Sequence, residues 1–391
     1  MIPLLIFVEY LFPLFFFVFC VSPIENKNYQ RNFRFYFFIF PQNPSKQEKI
    51  KIIYVFSGFI YYALLSLINR VYLIFFIYSV CIFLLLSLIQ LFLFVLNHFR
   101  EKKDKKFRKK LKNKKESPFS FYFSSGFLSF YFLAFFMVFG ICNMNYVTRT
   151  EYLLHTEKNI QNKKIVCISD IHYGAVQFDG VLEKAINNIN RENPDIVILD
   201  GDVVEERTTK NQMKYVFKLL GRLKNREGIY FIYGNHDILP YTDNKAFTTE
   251  EMEKEIKKNG IKILKDSSVF LDGNFVLVGR DDKGLGYANS RNSIADLLSG
   301  ITNQNYIIVA DHQPDDYKEV LDKGVDLMLS GHTHGGQIFP LSLIYKHFGY
   351  IQYGIFPHAS GNLIITSGEA GYGYNYKTEQ HCEYAVIRVV H

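Results

Sequence analysis

The chain has 391 residues, 48% hydrophobic and 17% aromatic, with a net charge of +7, a length that allows two or three domains. Residues 98–118 alone hold eleven Lys/Arg against Glu101, Asp104 and Glu116, a net of +8, so the remainder stands at −1 and no nucleic-acid partner is expected. The five cysteines, Cys20, Cys81, Cys142, Cys167 and Cys382, form no Cys-x-x-Cys, which excludes a disulfide framework or a zinc knuckle.

Apolar residues crowd the first third. Residues 2–21 are almost wholly apolar but carry no early Lys or Arg, which favours a membrane span over a secretory signal. Residues 52–68 and 71–96 are two further spans, and 119–142 a fourth, each near the roughly 20 residues that a bilayer requires. Val71–Leu96 has almost no polar face, unlike a buried soluble helix. The expected organisation is therefore an α-helical membrane region over 1–97, a basic cytoplasmic linker over 98–118, a span over 119–142 and a catalytic domain over 160–391. The Lys/Arg bias keeps the linker in the cytoplasm and puts everything after residue 145 outside it. The same basic cluster suits anionic lipid headgroups.

From Lys163 onward, apolar runs alternate with helical spacing. Strands are predicted at Ile165–Ser169, Asp195–Leu199, Gly228–Tyr233, Ile261–Lys265, Ser268–Leu271, Phe275–Val278, Tyr306–Ala310, Val325–Leu329, Leu363–Thr366 and Tyr384–Val389. Helices are predicted at Gly180–Glu192, Thr208–Leu223, Thr248–Asn259, Asn292–Leu298 and Pro314–Leu321. Early strands alternate with helices and later ones come in runs, which gives a layered α/β domain with mixed sheets.

Chemistry gathers where the strands end. Asp170-Ile171-His172 follows the first strand, Gly201-Asp202 the second and Gly234-Asn235-His236-Asp237 the third. Asp311-His312 and Gly331-His332-Thr333-His334-Gly335-Gly336-Gln337 follow two later ones. Any one of these could be a helix cap or a turn. Five strand ends that all deliver oxygen or imidazole donors form a ligand crevice at the carboxyl edge of an open sheet. Imidazole with carboxylate suits Mn, Fe or Zn better than Mg.

This ordered set resembles the calcineurin-like metallophosphoesterase superfamily over roughly residues 160–391. The longer match from Asp311-His312-Gln313-Pro314 through Pro340 is similar to its membrane-associated bacterial phosphodiesterase branch. The resemblance implies an α/β fold, a four-layer β-sandwich flanked by helices, with two divalent metal ions. Carried over, Asp170, His172, Asp202 and His334 would hold one ion, and Asp202, Asn235, His312 and His332 the other, with Asp202 between them. The ions would grip phosphoryl oxygens and acidify a shared water for in-line attack. His236 would protonate or stabilise the leaving alkoxide, oriented by Glu205, three residues after the bridging aspartate. Protein Ser/Thr phosphatases of the superfamily place Arg after that carboxylate. Here Glu206 stands there, with Arg207 one position on, which argues against a phosphoprotein substrate. Arg280 is a candidate phosphate contact, with a loop salt bridge as the alternative.

Residues 338–356 carry twelve apolar or aromatic side chains without a clean strand or helix period. Such a loop beside a crevice either packs into the domain or forms a lipid-facing rim. The second choice points to a phosphoester substrate of lipid-linked type, a phosphodiester or pyrophosphate. Rival readings are a cytosol-facing nucleotide phosphodiesterase and a non-catalytic membrane sensor on the same fold.

Overall fold

The computed structural model describes residues 127–284 and 291–391, together with Leu96, with side chains from residue 135 onward. The expected spans over 2–21, 52–68 and 71–96 and the linker over 98–118 lie outside the described residues, Leu96 excepted. The expected fourth span coincides from residue 127 with helix α1, Phe127–Met144. Among the described residues no helix is long and apolar enough to cross a membrane. Phe139–His391 form one compact unit.

That unit is built on two six-stranded mixed sheets. The first runs in the order β1 (Val147–His155), β12 (Cys382–Val390), β2 (Lys163–Ile168), β3 (Ile196–Asp200), β4 (Gly228–Ile232), β5 (Ile261–Ile263). Strands β2 to β5 are parallel; β12 is antiparallel to β2 and parallel to β1. The second sheet runs β10 (Gly354–Pro357), β11 (Asn362–Ile365), β9 (Leu327–Ser330), β8 (Tyr306–Ala310), β7 (Phe275–Gly279), β6 (Ser267–Leu271). Its four central strands are parallel and its two edge strands antiparallel.

Alternation along each strand decides the layers, because successive side chains leave opposite faces. Ile165, Cys167, Ile196, Ile198 and Tyr230 of the first sheet meet Phe275, Leu277, Ile308, Leu329 and Ile364 of the second in the central core. Val166, Ile168, Val197 and Leu199 turn the other way, under helices α2 (Val181–Glu192), α3 (Lys210–Leu220) and α4 (Thr249–Lys258). Val276, Val278, Val309 and Met328 pack beneath the short helices α5 (Ile294–Leu297) and α6 (Tyr317–Leu321). Strands buried on both faces read as continuous apolar runs, which is why β3 and β8 stand out in the sequence. Helix starts are equally legible: Thr209 with Gln212, and Thr248 with Glu251, form reciprocal capping boxes at α3 and α4.

Three elements escape the sequence pattern. Strand β1 lies upstream of the expected domain start at 160, yet it pairs along its whole length with β12. Only Leu154 of its nine residues is buried, so its polar edge reads as loop. Helix α7, Leu341–His347, and strand β10 occupy the apolar segment that showed no period. Not one residue of α7 is buried, so the core-packing alternative for this helix does not hold.

Candidate metal centre

The carboxyl ends of β2, β3 and β4 meet those of β8 and β9, and the loops that leave them carry the donors. Their backbones are tied together first. Asp170 N donates to Gly201 O at 3.0 Å, His172 N to Asp202 O at 3.0 Å, and Gly331 N to His312 O at 3.1 Å. Asp170, His172, Asp202, His332 and His334 all adopt positive φ, between 44° and 68°. Each such residue costs on the order of 1–2 kcal/mol. Space is made by glycine: a Cβ on Gly234 would overlap the Asp202 carboxylate, and one on Gly331 the Asp170 carboxylate.

Two donor clusters result, Asp170 with His172 and His334, and Asp202 with His312 and His332, the ligand atoms within each lying within 4.8 Å of one another. The backbone at His332 and His334 is left-handed rather than extended, and the two rings go to different clusters. Asp202 Oδ2 faces both: it is 3.1 Å from His312 Nε2 and 3.7 Å from His172 Nε2. Its other oxygen accepts from His236 N at 2.8 Å. Asp170 accepts from His332 N at 3.0 Å and lies 3.6 Å from His334 Nε2.

The donor atoms fit cations. Both ring nitrogens of His172, His312 Nε2, His334 Nδ1 and Asn235 Oδ1 are buried without a hydrogen-bond partner, a state that burial normally penalises. His312 Nδ1 contacts Asp200 O at 2.7 Å, a bond that gives it the proton and leaves Nε2 as a lone pair facing Asp202. Asn235 Nδ2 donates to Tyr241 Oη at 3.4 Å, which leaves its Oδ1 free for a ligand role.

The electrostatics agree. Burial works to raise the Asp202 carboxyl, but His312 and His172 overcome it and hold the group well below the carboxylate range. Asp170 is likewise lowered against its burial, chiefly by His334 and His312. Burial drives His334 down to about 3, against the pull of Asp170, and it also lowers His332, aided by His312. Burial works to lower His312, but the charge of Asp202, 3.1 Å from its Nε2, outweighs it and holds the group well above its usual value. A divalent ion would take the place of that proton. Such a set of ionised carboxylates and neutral imidazoles fits two divalent ions.

Beside the clusters sits His236, ringed by aromatics. Its ring centroid is 4.4 Å from Tyr372 and 4.9 Å from Tyr241. Its Nδ1 lies 2.9 Å from Glu206 Oε2. Burial lowers the imidazole, yet the Glu206 bond and the Asp202 charge raise it overall. Glu205 is thus not the partner of His236. The chain turns at Glu206–Arg207, so counting along the loop misassigns the two acids. Glu205 is folded inward, 1% exposed, where its carboxylate bonds Arg207 and stands 3.5 Å from His172 Nδ1.

Arg280 is also reassigned. It is 4% exposed and its guanidinium donates to Asp311 Oδ2 at 2.9 Å, so it braces the β7 and β8 ends rather than reaching into the crevice.

Asp237 was not singled out in the sequence as a site residue. Its buried carboxylate accepts from the backbone N–H groups of Asp202, Val203, Val204 and Gly234, at 2.8–3.2 Å, and fixes the loop that carries Asp202. A carboxylate directly after the candidate proton donor His236, at the mouth of an apolar strand, was the available signal. Tyr372, in a glycine-containing loop too generic to interpret, had none.

A model of the calcineurin-like phosphoesterase family matches residues 163–336. An uncharacterized metallophosphoesterase of Aquifex aeolicus is 31% identical over 239 residues, 58% of this chain and 86% of its own length. A zebrafish protein described as a transmembrane protein with metallophosphoesterase domain is 30% identical over 228 residues, 55% of this chain; the chain spans half of that relative's length. A phosphopantetheinyl hydrolase structure from Mycobacterium tuberculosis superposes with a TM-score of 0.34 at 14% identity, over 54% of this chain and 90% of that one. With the two donor clusters in place, the Aquifex relative and the family model together put the chain in the calcineurin-like phosphoesterase family, the metal-dependent phosphoesterases.

Proposed function

We propose that the chain is a membrane-anchored phosphohydrolase that works with two divalent ions, Mn, Fe or Zn, on a phosphodiester or pyrophosphate of a lipid-linked substrate outside the cytoplasm. The observation that carries this is the position of Asp202 Oδ2 between a histidine of each cluster. Asp170, His172 and His334 hold one ion and Asn235, His312 and His332 the other, with Asp202 shared. Bound ions supply Lewis-acid polarisation of the phosphoryl oxygens and acidify a water for attack. The protein supplies the rest. Positive-φ backbone and the Asp237 carboxylate fix the donors before substrate arrives, which limits reorganisation during reaction. His236, whose protonated form the Glu206 carboxylate favours, gives its proton to the departing alkoxide oxygen. Tyr241 and Tyr372 flank that imidazole and narrow the approach to it. The span-length apolar runs before residue 142 and the zebrafish relative's description support the anchoring.

The test is hydrolysis of bis-p-nitrophenyl against p-nitrophenyl phosphate by the full chain with added Mn²⁺, beside an Asp202→Asn variant. Diester preference, lost in the variant, is expected. Monoester preference would replace the substrate class, and a fully active variant would refute the shared-ligand role. A protease-cleavable tag after residue 391 reports the side: cleavage in intact cells is expected, and cleavage only after lysis refutes it.

A further inference from the structure

Residues 338–353 contain no Asp or Glu, and Lys346 and His347 are their basic groups. Leu343, Ile344, Tyr345, Phe348 and Tyr350 all stand exposed, Phe348 by 70% and Tyr350 by 64%. A soluble surface rarely leaves so many large apolar groups together. The patch is built rather than frayed. Ser342 N and Oγ bond the Glu379 carboxylate, Phe339 N donates to Thr378 Oγ1 at 3.1 Å, and Thr333 Oγ1 donates to Gln352 O at 2.5 Å. Within it, Tyr345 meets Tyr350 edge-on and His347 meets Phe348. The base of α7 is pinned while its apolar face points away from the domain.

What covers that face is indicated by the other end of the chain. The segment that pins α7 also receives the last turns of α1. Lys377 N donates to Gly140 O at 3.0 Å, and Asn143 Nδ2 donates to Lys377 O at 3.1 Å and Gln380 O at 2.9 Å. A Cβ on Gly140 would run into Tyr376 and Thr378. Residues 376–380 thus hold both the last turns of α1 and the base of α7. Thr333, between the two metal-site histidines, ties the patch to the metal centre.

We propose that α7 and Phe348–Tyr350 lie in the interfacial layer of the lipid bilayer and hold the mouth of the metal centre against the membrane surface. This rests on the membrane-anchored reading. Aliphatic side chains would enter the acyl boundary by about 5–10 Å, tyrosines would sit at headgroup level and Lys346 would meet anionic headgroups.

The chain has no tryptophan, so a single introduced one reports alone. F348W and, as a second reporter, Y350W are compared with F270W on edge strand β6, where Phe270 is 64% exposed. Full chains are reconstituted in phosphatidylcholine and phosphatidylglycerol vesicles with brominated acyl chains and floated on a density gradient. Co-flotation, with quenching by bromolipid in F348W and Y350W but not F270W, is the expected result. Co-flotation with both patch reporters unquenched overturns the docking surface and leaves anchoring intact. Failure to float overturns anchoring and the docking surface with it.

Discussion

Replacing Glu206 by Gln keeps the shape of the side chain that meets His236 and removes its charge. Heavy atoms 2.9 Å apart, with both side chains largely buried, form a charge-assisted hydrogen bond worth about 1.5–3 kcal/mol. If that energy holds the imidazolium ready to protonate the leaving oxygen, its loss slows turnover roughly 10–100-fold. The loss depends on the leaving group. An alkyl phosphodiester needs the proton and suffers in full, whereas a p-nitrophenyl ester expels a stable anion and is nearly unaffected. Glu205→Gln is the matched control, because that carboxylate stands against His172 instead. It should weaken metal affinity about 10–100-fold, as loss of an orienting carboxylate does, with no preference between leaving groups once metal saturates. The assay is kcat on alkyl and aryl diesters at saturating Mn²⁺, with metal affinity from calorimetric titration. Full alkyl-ester activity in Glu206→Gln, or a leaving-group-dependent loss in Glu205→Gln, would refute the assignment.

Three further outcomes follow from particular contacts. Gly331→Ala puts a methyl group onto the Asp170 carboxylate, so metal analysis should find the Asp170-side ion lost while circular dichroism keeps its folded signature. Arg280→Met removes one cation from the buried Asp311 carboxylate, which should cost about 3 kcal/mol of stability in thermal melts and leave KM unchanged; a raised KM would return Arg280 to the crevice. Glu369 is fully buried, neither of its oxygens has a hydrogen-bond partner, and burial pushes it up to about 8 despite Lys377. Its folded value exceeds the ordinary 4.5, so the folded chain holds the extra proton between those values. Stability is therefore full below about pH 4.5 and falls as pH rises through about 8, by roughly 3 kcal/mol already at pH 7. Glu369→Gln should flatten that decline in melts taken near pH 5.5 and near pH 8.5; an unchanged slope would count against the buried acid.

Much of this protein was legible in the linear chain because its signals are local. Apolar runs such as Ile196–Asp200 and Tyr306–Ala310 are buried on both faces and need no partner to be recognised. The Thr209 and Thr248 caps depend on a residue three positions on. The donor residues follow strands directly, so their order along the chain survives folding. Tertiary structure alone decided what depends on direction and on distant neighbours. Strand β1 exists because β12, more than 200 residues later, supplies its hydrogen bonds. Whether Glu205 or Glu206 meets His236 turned on one tight turn, and a change of one residue there reverses which way a side chain faces. Arg280 looked able to reach phosphate until folding set Asp311 beside it. The apolar run around α7 could have been core or surface, and hydrophobicity by itself does not choose. Its anchoring to Thr378 and Glu379 turned the face outward, since those polar groups hold the backbone of the helix and leave its side chains no interior to enter.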